Sequence, residues 1–321
     1  MHMARSIRRK ALLAGTVAAA LLAGACAGDG AGRVQFLSLG TAGTGGIYYP
    51  LGGALASRLS ARDPLRQFTA EVTGGSVENI NRLKNGEMDL AFALPVTIWE
   101  AYHGGETFPE AFEDLRILAP LYPNLSHLMV TPRSGIEGLA DLRGKRVAVG
   151  PPGSGTEQMA RQILASAGIT YDDVDERFLS FAELAMALKD RAIDAALISV
   201  GYPASSVLDA TTTGGIRLVA LDSASVHSLR VEHPYYAMGE IPAGAYPGVD
   251  RPLPTLSLMN WVVARADLDD EVVFHLLDIF RDELNELERV HPMAGQIDLS
   301  GLDDAPIPLH PAVERWRARQ R

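Results

Sequence analysis

The stretch Leu37-Ser-Leu-Gly-Thr-Ala-Gly-Thr-Gly-Gly-Ile-Tyr-Tyr-Pro-Leu-Gly-Gly-Ala-Leu-Ala56 decides how the rest of the chain is read. Val34 to Leu39 has the character of a buried strand, a glycine-rich turn follows, and Leu51–Ser60 carries the pattern of an apolar helix. A strand running into such a turn points backbone N–H groups, and the positive end of a helix, at an anionic group. A Walker loop ends in Gly-Lys-Ser/Thr, but here Gly45 and Gly46 are followed by Ile47 and Tyr48. Nor do Gly40, Gly43, Gly45 and Gly46 fall at the offsets of the dinucleotide motif. A loop with two tyrosines and no lysine suits a carboxylate better than a triphosphate.

The same grammar recurs at Lys145-Arg-Val-Ala-Val-Gly-Pro-Pro-Gly-Ser-Gly-Thr156, which runs into Glu157-Gln-Met-Ala-Arg-Gln-Ile-Leu164. Again a strand meets a Gly/Ser loop and a helix start, and again the lysine is missing. Between and after these units, short apolar runs alternate with helical patterns, the signature of α/β architecture. Strands are expected at Phe68–Thr73, Leu90–Leu94, Arg116–Pro120, Leu128–Val130, Arg146–Val149, Phe178–Leu179, Ala195–Ser199 and Arg217–Leu221. Helices are expected at Val77–Asn85, Thr156–Ala167, Phe181–Arg191 and Glu271–Val290. The last places Val272, Val273, Leu276, Leu277, Phe280, Leu284 and Leu287 on one face. Two anion-receptive helix starts in different domains can grip one ligand in the cleft between them, with hinge closure around it.

Residues 1–25 read as a signal peptide, with Arg5, Arg8, Arg9 and Lys10 before the apolar run Ala11–Ala23. Ala23-Gly24-Ala25-Cys26 fits ordinary signal cleavage. It also fits a lipobox that makes the chain's single cysteine, Cys26, an acylated first residue, although Ala23 stands where leucine is preferred. Residues 26–33 then form a flexible Gly/Ala/Asp tether. One cysteine, with no disulfide partner in an exported protein, favours the anchor. The formal net charge is −10, and loss of the leader's four basic residues takes it to −14. That balance argues against nucleic acid and anionic lipid surfaces as partners, leaving membrane contact to the anchor alone.

Catalytic chemistries find little support. The eight histidines include no H-E-x-x-H, and His227 and His233 read as surface residues rather than ligands, so no metal or cofactor is expected. Gly153-Ser154-Gly155 is not a nucleophile elbow. Asp172, Asp173, Asp175 and Glu176 lack EF-hand spacing and read as a solvated loop.

Several blocks taken together resemble the TAXI family, the TRAP-associated extracytoplasmic solute receptors. They are Gly40–Ala56, Thr73-Gly-Gly-Ser-Val-Glu-Asn79, Val147–Thr156, Leu179-Ser-Phe-Ala-Glu183, Gly201-Tyr-Pro203, Ile241-Pro-Ala-Gly-Ala-Tyr-Pro-Gly248 and Ile307-Pro-Leu-His-Pro311. They occur in the family's order over nearly all of the chain beyond the leader. The resemblance implies a two-lobed periplasmic binding protein of type II, a Venus flytrap with a hinge. Residues 34–131 and 246–321 would form lobe I, and 132–245 lobe II. The implied role is capture of a small carboxylate solute and its delivery to TRAP permease subunits, in the periplasm or on the outer face of the cytoplasmic membrane, without catalysis. Two other roles share the fold: a ligand-sensing lipoprotein that transports nothing, and an enzyme.

Carried over by position, the resemblance implies ligand contacts from Gly43, Thr44, Gly45, Tyr48 and Ser76 in the first lobe. Ser154, Gly155, Thr156 and Tyr202 are the counterparts in the second. Ser154 and Thr156 offer hydroxyls beside free N–H groups, and Tyr48 joins an apolar wall to a phenolic donor. Ser76 also reads as an N-cap for Val77–Asn85, and Tyr202 as a turn residue before Pro203. The chain departs from the family at Leu94, Pro95, Val96 and Thr97, where glutamine, serine and aspartate are usual from position 94 to 96. Losing those polar groups removes a partner for an α-amino group, so a carboxylate less polar than glutamate is expected. Alternatively the segment is only helix-entry packing.

Overall fold

The computed structural model describes residues 34–320, except 222, 223 and 225. The expected signal peptide, tether and Cys26 lie outside the described residues. The chain is an α/β protein with the elements β1 (Gln35–Gly40), α1 (Tyr48–Arg62), β2 (Arg66–Glu71), α2 (Ser76–Lys84), β3 (Leu90–Ala93), α3 (Pro95–His103) and β4 (Leu115–Val130). They are followed by β5 (Arg146–Gly150), α4 (Gly155–Ser166), β6 (Asp175–Phe178), α5 (Phe181–Lys189), β7 (Ala195–Val200), α6 (Ser205–Gly214) and β8 (Arg217–Val219). After α7 (His227–Glu232) and β9 (Ala237–Ile241) come β10 (Leu253–Arg265), α8 (Asp270–Asp282), α9 (Leu284–Glu288) and α10 (Pro311–Gln320).

One mixed sheet runs in the order β2-β1-β3-β10-β4-β7-β5-β6, with β8 added to β4 and β9 to β10. Its short central strands are covered on both faces: every residue of β3 and of β7 is buried, and all but Ser199 are apolar. The long strands β4 and β10 hold the halves of the sheet together. β4 pairs with β10 from Leu115 to Leu125 and with β7 from Leu125 to Val130. β10 pairs with β9 at its beginning and with β3 near its end. The β4–β10 ladder slips between Met259 and Trp261, leaving Asn260 out of register at the middle of the ribbon.

Side chains alternate across the second half of the sheet and so divide two cores. Leu128, Val130, Val147, Val149, Ala195 and Leu197 join the core under α4, which also contains Leu94, Val96, Leu256 and Leu258. Met129, Ala148, Ala196 and Ile198 face the larger core, which is continuous with the first half.

Three expectations fail here for physical reasons. Arg116–Pro120 and Leu128–Val130 are one strand, because the register slip carries β4 past Pro120 and Pro123. The long C-terminal helix divides at Glu283, whose carboxylate takes hydrogen bonds from Arg58 and Arg62 on α1. Ser76 is not the cap of α2. Gly75 holds that place at φ 120°, and the helix begins at Ser76 itself.

Candidate functional site

The loop between β2 and α2 meets the loop between β5 and α4. β5 ends at Gly150 with φ 97°, where a Cβ would sit 2.7 Å from the Thr156 methyl, so the turn into α4 requires glycine. Ser154 caps that helix: its Oγ accepts from Glu157 N–H at 3.1 Å and donates to Pro151 O at 2.7 Å. Opposite, Thr73 and Asn79 lace the loop before α2. Thr73 Oγ accepts from Gly75 N–H at 3.1 Å, and Asn79 Nδ2 donates to Thr41 O and Phe92 O. The loops touch directly, with Glu78 N–H donating to Gly153 O at 3.1 Å. A Cβ on Gly155 would stand 2.7 Å from Ser76 Oγ and 2.9 Å from Thr97 Oγ. This is a closed arrangement.

Behind the contact lies a cavity of about 280 Å³. Four helix starts border it: Ile47 and Tyr48 at α1, Gly75 and Ser76 at α2, Ser154 to Thr156 at α4, and Ser180 and Phe181 at α5. Tyr122 and Asn124 of β4, Ser199 and Val200 of β7, and Leu94 after β3 complete the wall. No residue lining it carries a charge. The first N–H groups of each helix have no intrahelical acceptor. Each helix start stabilises a neighbouring anion by about 0.3–1 kcal/mol, more when partly buried. The nearest carboxylate of α4, Glu157, turns away and is held by Arg161 at 2.9 Å and by the Tyr171 hydroxyl at 2.8 Å. The lining thus offers an anion backbone and hydroxyl donors, and the carboxylates just behind it, Glu78 and Glu183, are engaged by Gly74 N–H at 2.7 Å and Ser180 N–H at 2.8 Å.

Of the residues singled out from sequence, Gly43, Tyr48, Ser76, Leu94, Ser154, Gly155 and Thr156 come together at the cavity. Their roles differ from those expected. The Tyr48 ring forms wall, packed edge-on to Phe92 at 5.3 Å between centroids, but its hydroxyl donates to Asn260 Oδ1 at 2.5 Å. Burial pushes its pKa up, so it stays a neutral donor. The Ser154 proton is used on Pro151 O, whereas Thr156 turns its methyl to Gly150 and keeps its hydroxyl free. Ser76 Oγ accepts from Leu94 N–H at 3.1 Å, which leaves its proton available.

The remaining residues lie elsewhere. Thr44 is exposed, and Gly45 packs against Phe181 with its carbonyl accepting from Ser205 Oγ at 3.2 Å. The Tyr202 hydroxyl accepts from Gln296 Nε2 at 3.2 Å, away from the cavity. Pro95 opens α3, and Val96 is buried in the core under α4. Thr97 donates to Gln158 Oε1 at 2.5 Å, and Gln158 Nε2 donates to Glu100 at 2.6 Å and Thr107 at 3.0 Å. That network ties α3 to α4 outside the cavity wall.

Sequence reasoning missed Tyr122, Asn124, Phe181, Ser199 and Asn260. A lone asparagine in each of two strand-forming runs, Leu121-Tyr-Pro-Asn124 and Met259-Asn-Trp261, was the available signal. Among the described residues no group of His, Cys, Asp or Glu is placed to hold a metal ion, and no helix is long and apolar enough to cross a membrane.

Residues 39–316 match the NMT1-like family, so the chain belongs to it. Among solved structures, a protein from Bordetella bronchiseptica RB50 is similar over 89% of this chain and 98% of its own, at 14% identity and a TM-score of 0.55. A structure described as a periplasmic transporter is similar over 91% of this chain and 93% of its own, at 13% identity and a TM-score of 0.53. The alkanesulfonate-binding protein SsuA from Xanthomonas axonopodis pv. citri, bound to MOPS, aligns over 90% and 85% at 18% identity, with a TM-score of 0.49. The fold is that of the periplasmic binding proteins.

Proposed function

We propose that this member of the NMT1-like family is an extracytoplasmic solute receptor of a TAXI-type TRAP transporter. It captures one small carboxylate between two lobes and hands it to membrane permease subunits. The observation that carries the binding role is the uncharged cavity of about 280 Å³ ringed by four helix starts. Such a pocket holds a monoanion through backbone N–H groups and hydroxyls. An α-ammonium group in it would be buried without a counter-ion, at a cost of several kcal/mol. The ligand is thus less polar than glutamate, and Leu94 gives its body an apolar surface. The transporter class rests on the motif blocks from Gly40–Ala56 to Ile307–Pro311.

Residues 34–131 and 246–321 form the first lobe of this reading, and 132–245 the second, with β4 and β10 as the connecting ribbon. The ligand contacts are Gly43, Tyr48, Ser76, Gly155 and Thr156. Cys26 carries the lipid that keeps the receptor at the membrane; Cys26→Ser then releases it to the soluble fraction, and a wild-type protein already soluble ends that part. Mass spectrometry of small molecules released from the purified, denatured protein tests the central point. Carboxylates without an amino group are expected. Recovery of an amino acid as the stoichiometric ligand would overturn the reading.

A further inference from the structure

At the floor of the cavity, four side chains from α1, β10, β4 and β7 form one hydrogen-bonded chain with a fixed direction. Tyr48 O–H donates to Asn260 Oδ1. Asn260 Nδ2 donates to Tyr122 O at 2.6 Å and to Asn124 Oδ1 at 2.8 Å. Asn124 Nδ2 donates to Ser199 O at 3.1 Å and to Ser199 Oγ at 3.2 Å. All four side chains are buried, Asn260 completely.

Neither amide can be turned over. A backbone carbonyl only accepts, so Tyr122 O pins the Asn260 NH₂ group and Ser199 O pins that of Asn124. Each amide spends both of its protons, and the chain runs one way from Tyr48 to Ser199. Ser199 Oγ therefore accepts from Asn124, and its own proton has no acceptor among the described residues. Ser199 lines the cavity, so that proton is available to a ligand there.

We infer that the ligand carries, besides its carboxylate, a neutral oxygen acceptor that the Ser199 hydroxyl holds at the cavity floor. Asn260 and Asn124 are positioning residues that fix this hydroxyl as a donor. The ligand class is an oxo acid, or an acid with an ether or ester oxygen. An amino group at the floor leaves the Ser199 proton without an acceptor, and the cavity lining holds no carboxylate to pair with its charge. This inference rests on the proposed carboxylate-binding role.

Titration calorimetry of the full-length protein with four matched probes tests it: pentanoate, 2-oxopentanoate, 4-oxopentanoate and 2-aminopentanoate. At least one oxo acid should bind about ten-fold more tightly than pentanoate, the worth of one well-made hydrogen bond. 2-Aminopentanoate should bind more weakly than pentanoate. In Ser199→Ala the ratio between oxo acid and pentanoate should fall to about one, and Ser199→Thr, which keeps the hydroxyl, should restore it. Asn124→Asp should also collapse the ratio, since an aspartate accepts the Ser199 proton that the ligand would otherwise receive. Should that variant fail to fold, the Ser199 pair decides alone. Pentanoate binding as tightly as both oxo acids overturns the inference while leaving the carboxylate role standing. An oxo-acid advantage that survives Ser199→Ala also overturns it. Failure of all four probes to bind overturns the carboxylate role and this inference together.

Discussion

Adding one methyl group to Gly155 should cripple ligand binding while leaving each half of the protein folded. Gly155 is the first residue of α4, and its φ does not lie in the left-handed region. Alanine therefore carries no backbone strain there and is the better helix former by roughly 1 kcal/mol in a helix interior. In the closed arrangement its Cβ would lie 2.7 Å from Ser76 Oγ, 2.9 Å from Thr97 Oγ and 3.0 Å from Ser76 Cβ, all across the cleft. Thr97 is pinned by Gln158, and Ser76 by Leu94 N–H, so neither can swing aside freely. Overpacking of this kind costs about 1–3 kcal/mol, and here only the closed form bears it. Affinity for any ligand that requires closure should drop by about 5–150-fold. Thermal unfolding of the free variant should match the wild type or improve, and its radius of gyration in solution scattering should exceed that of the wild type. An affinity within two-fold of wild type, together with unchanged scattering, would refute the reasoning.

Two further outcomes follow from the site. Thr156→Val keeps the methyl against Gly150 and removes the free hydroxyl, so calorimetry should show binding weaker by about 1–3 kcal/mol with little change in melting temperature. Ser154→Ala should behave the opposite way, losing about 1 kcal/mol of stability through its cap and less affinity; a larger affinity loss at Ser154 than at Thr156 contradicts the assignment. His127 should make the protein acid-sensitive. Its Nδ1 faces Leu125 O at 2.9 Å, its Nε2 is buried without a partner, and burial pushes its pKa from 6.5 down to about 4. The unfolded chain binds that proton first, so the contribution is complete above pH 6.5 and drains away as pH falls toward about 4. At about pH 5 the loss is roughly 2 kcal/mol. Denaturant melts of His127→Gln should lose correspondingly less stability than wild type between about pH 7.5 and 5. Burial lowers the pKa of His233, His291 and His310 as well, so the difference between the two proteins carries the test. Equal losses remove His127 from the account.

The two strand–loop–helix units were legible because their signals are local: glycines at special φ, an N-capping serine, and apolar runs of strand length. The β4–β10 ribbon was not. Pro120 and Pro123 make β4 look broken in sequence, and only the slipped register of its partner shows how one strand passes them. β10 was overlooked although Trp261–Ala264 is an apolar run, since Pro254, Thr255, Ser257 and Asn260 interrupt the strand pattern before it. The hydroxyl of Tyr48 was assigned to ligand because Asn260, its actual partner, lies 212 residues away. In the same way Leu94-Pro-Val-Thr97 looked like one specificity segment, yet only Leu94 faces the cavity while its neighbours start α3 and join α3 to α4. Periodicity says which face of an element is buried, and long-range pairing decides what that face meets.

A grip made from helix ends has an evolutionary consequence. Main-chain N–H groups survive nearly every substitution, so point mutation leaves the backbone part of the proposed anion site in place unless it displaces a helix. The side chains at the floor and at Leu94 can be exchanged one at a time. Under the proposed carboxylate role, descendants of this gene can therefore trade one acid for another in single steps, while the backbone share of the preference for acids changes only when a helix moves.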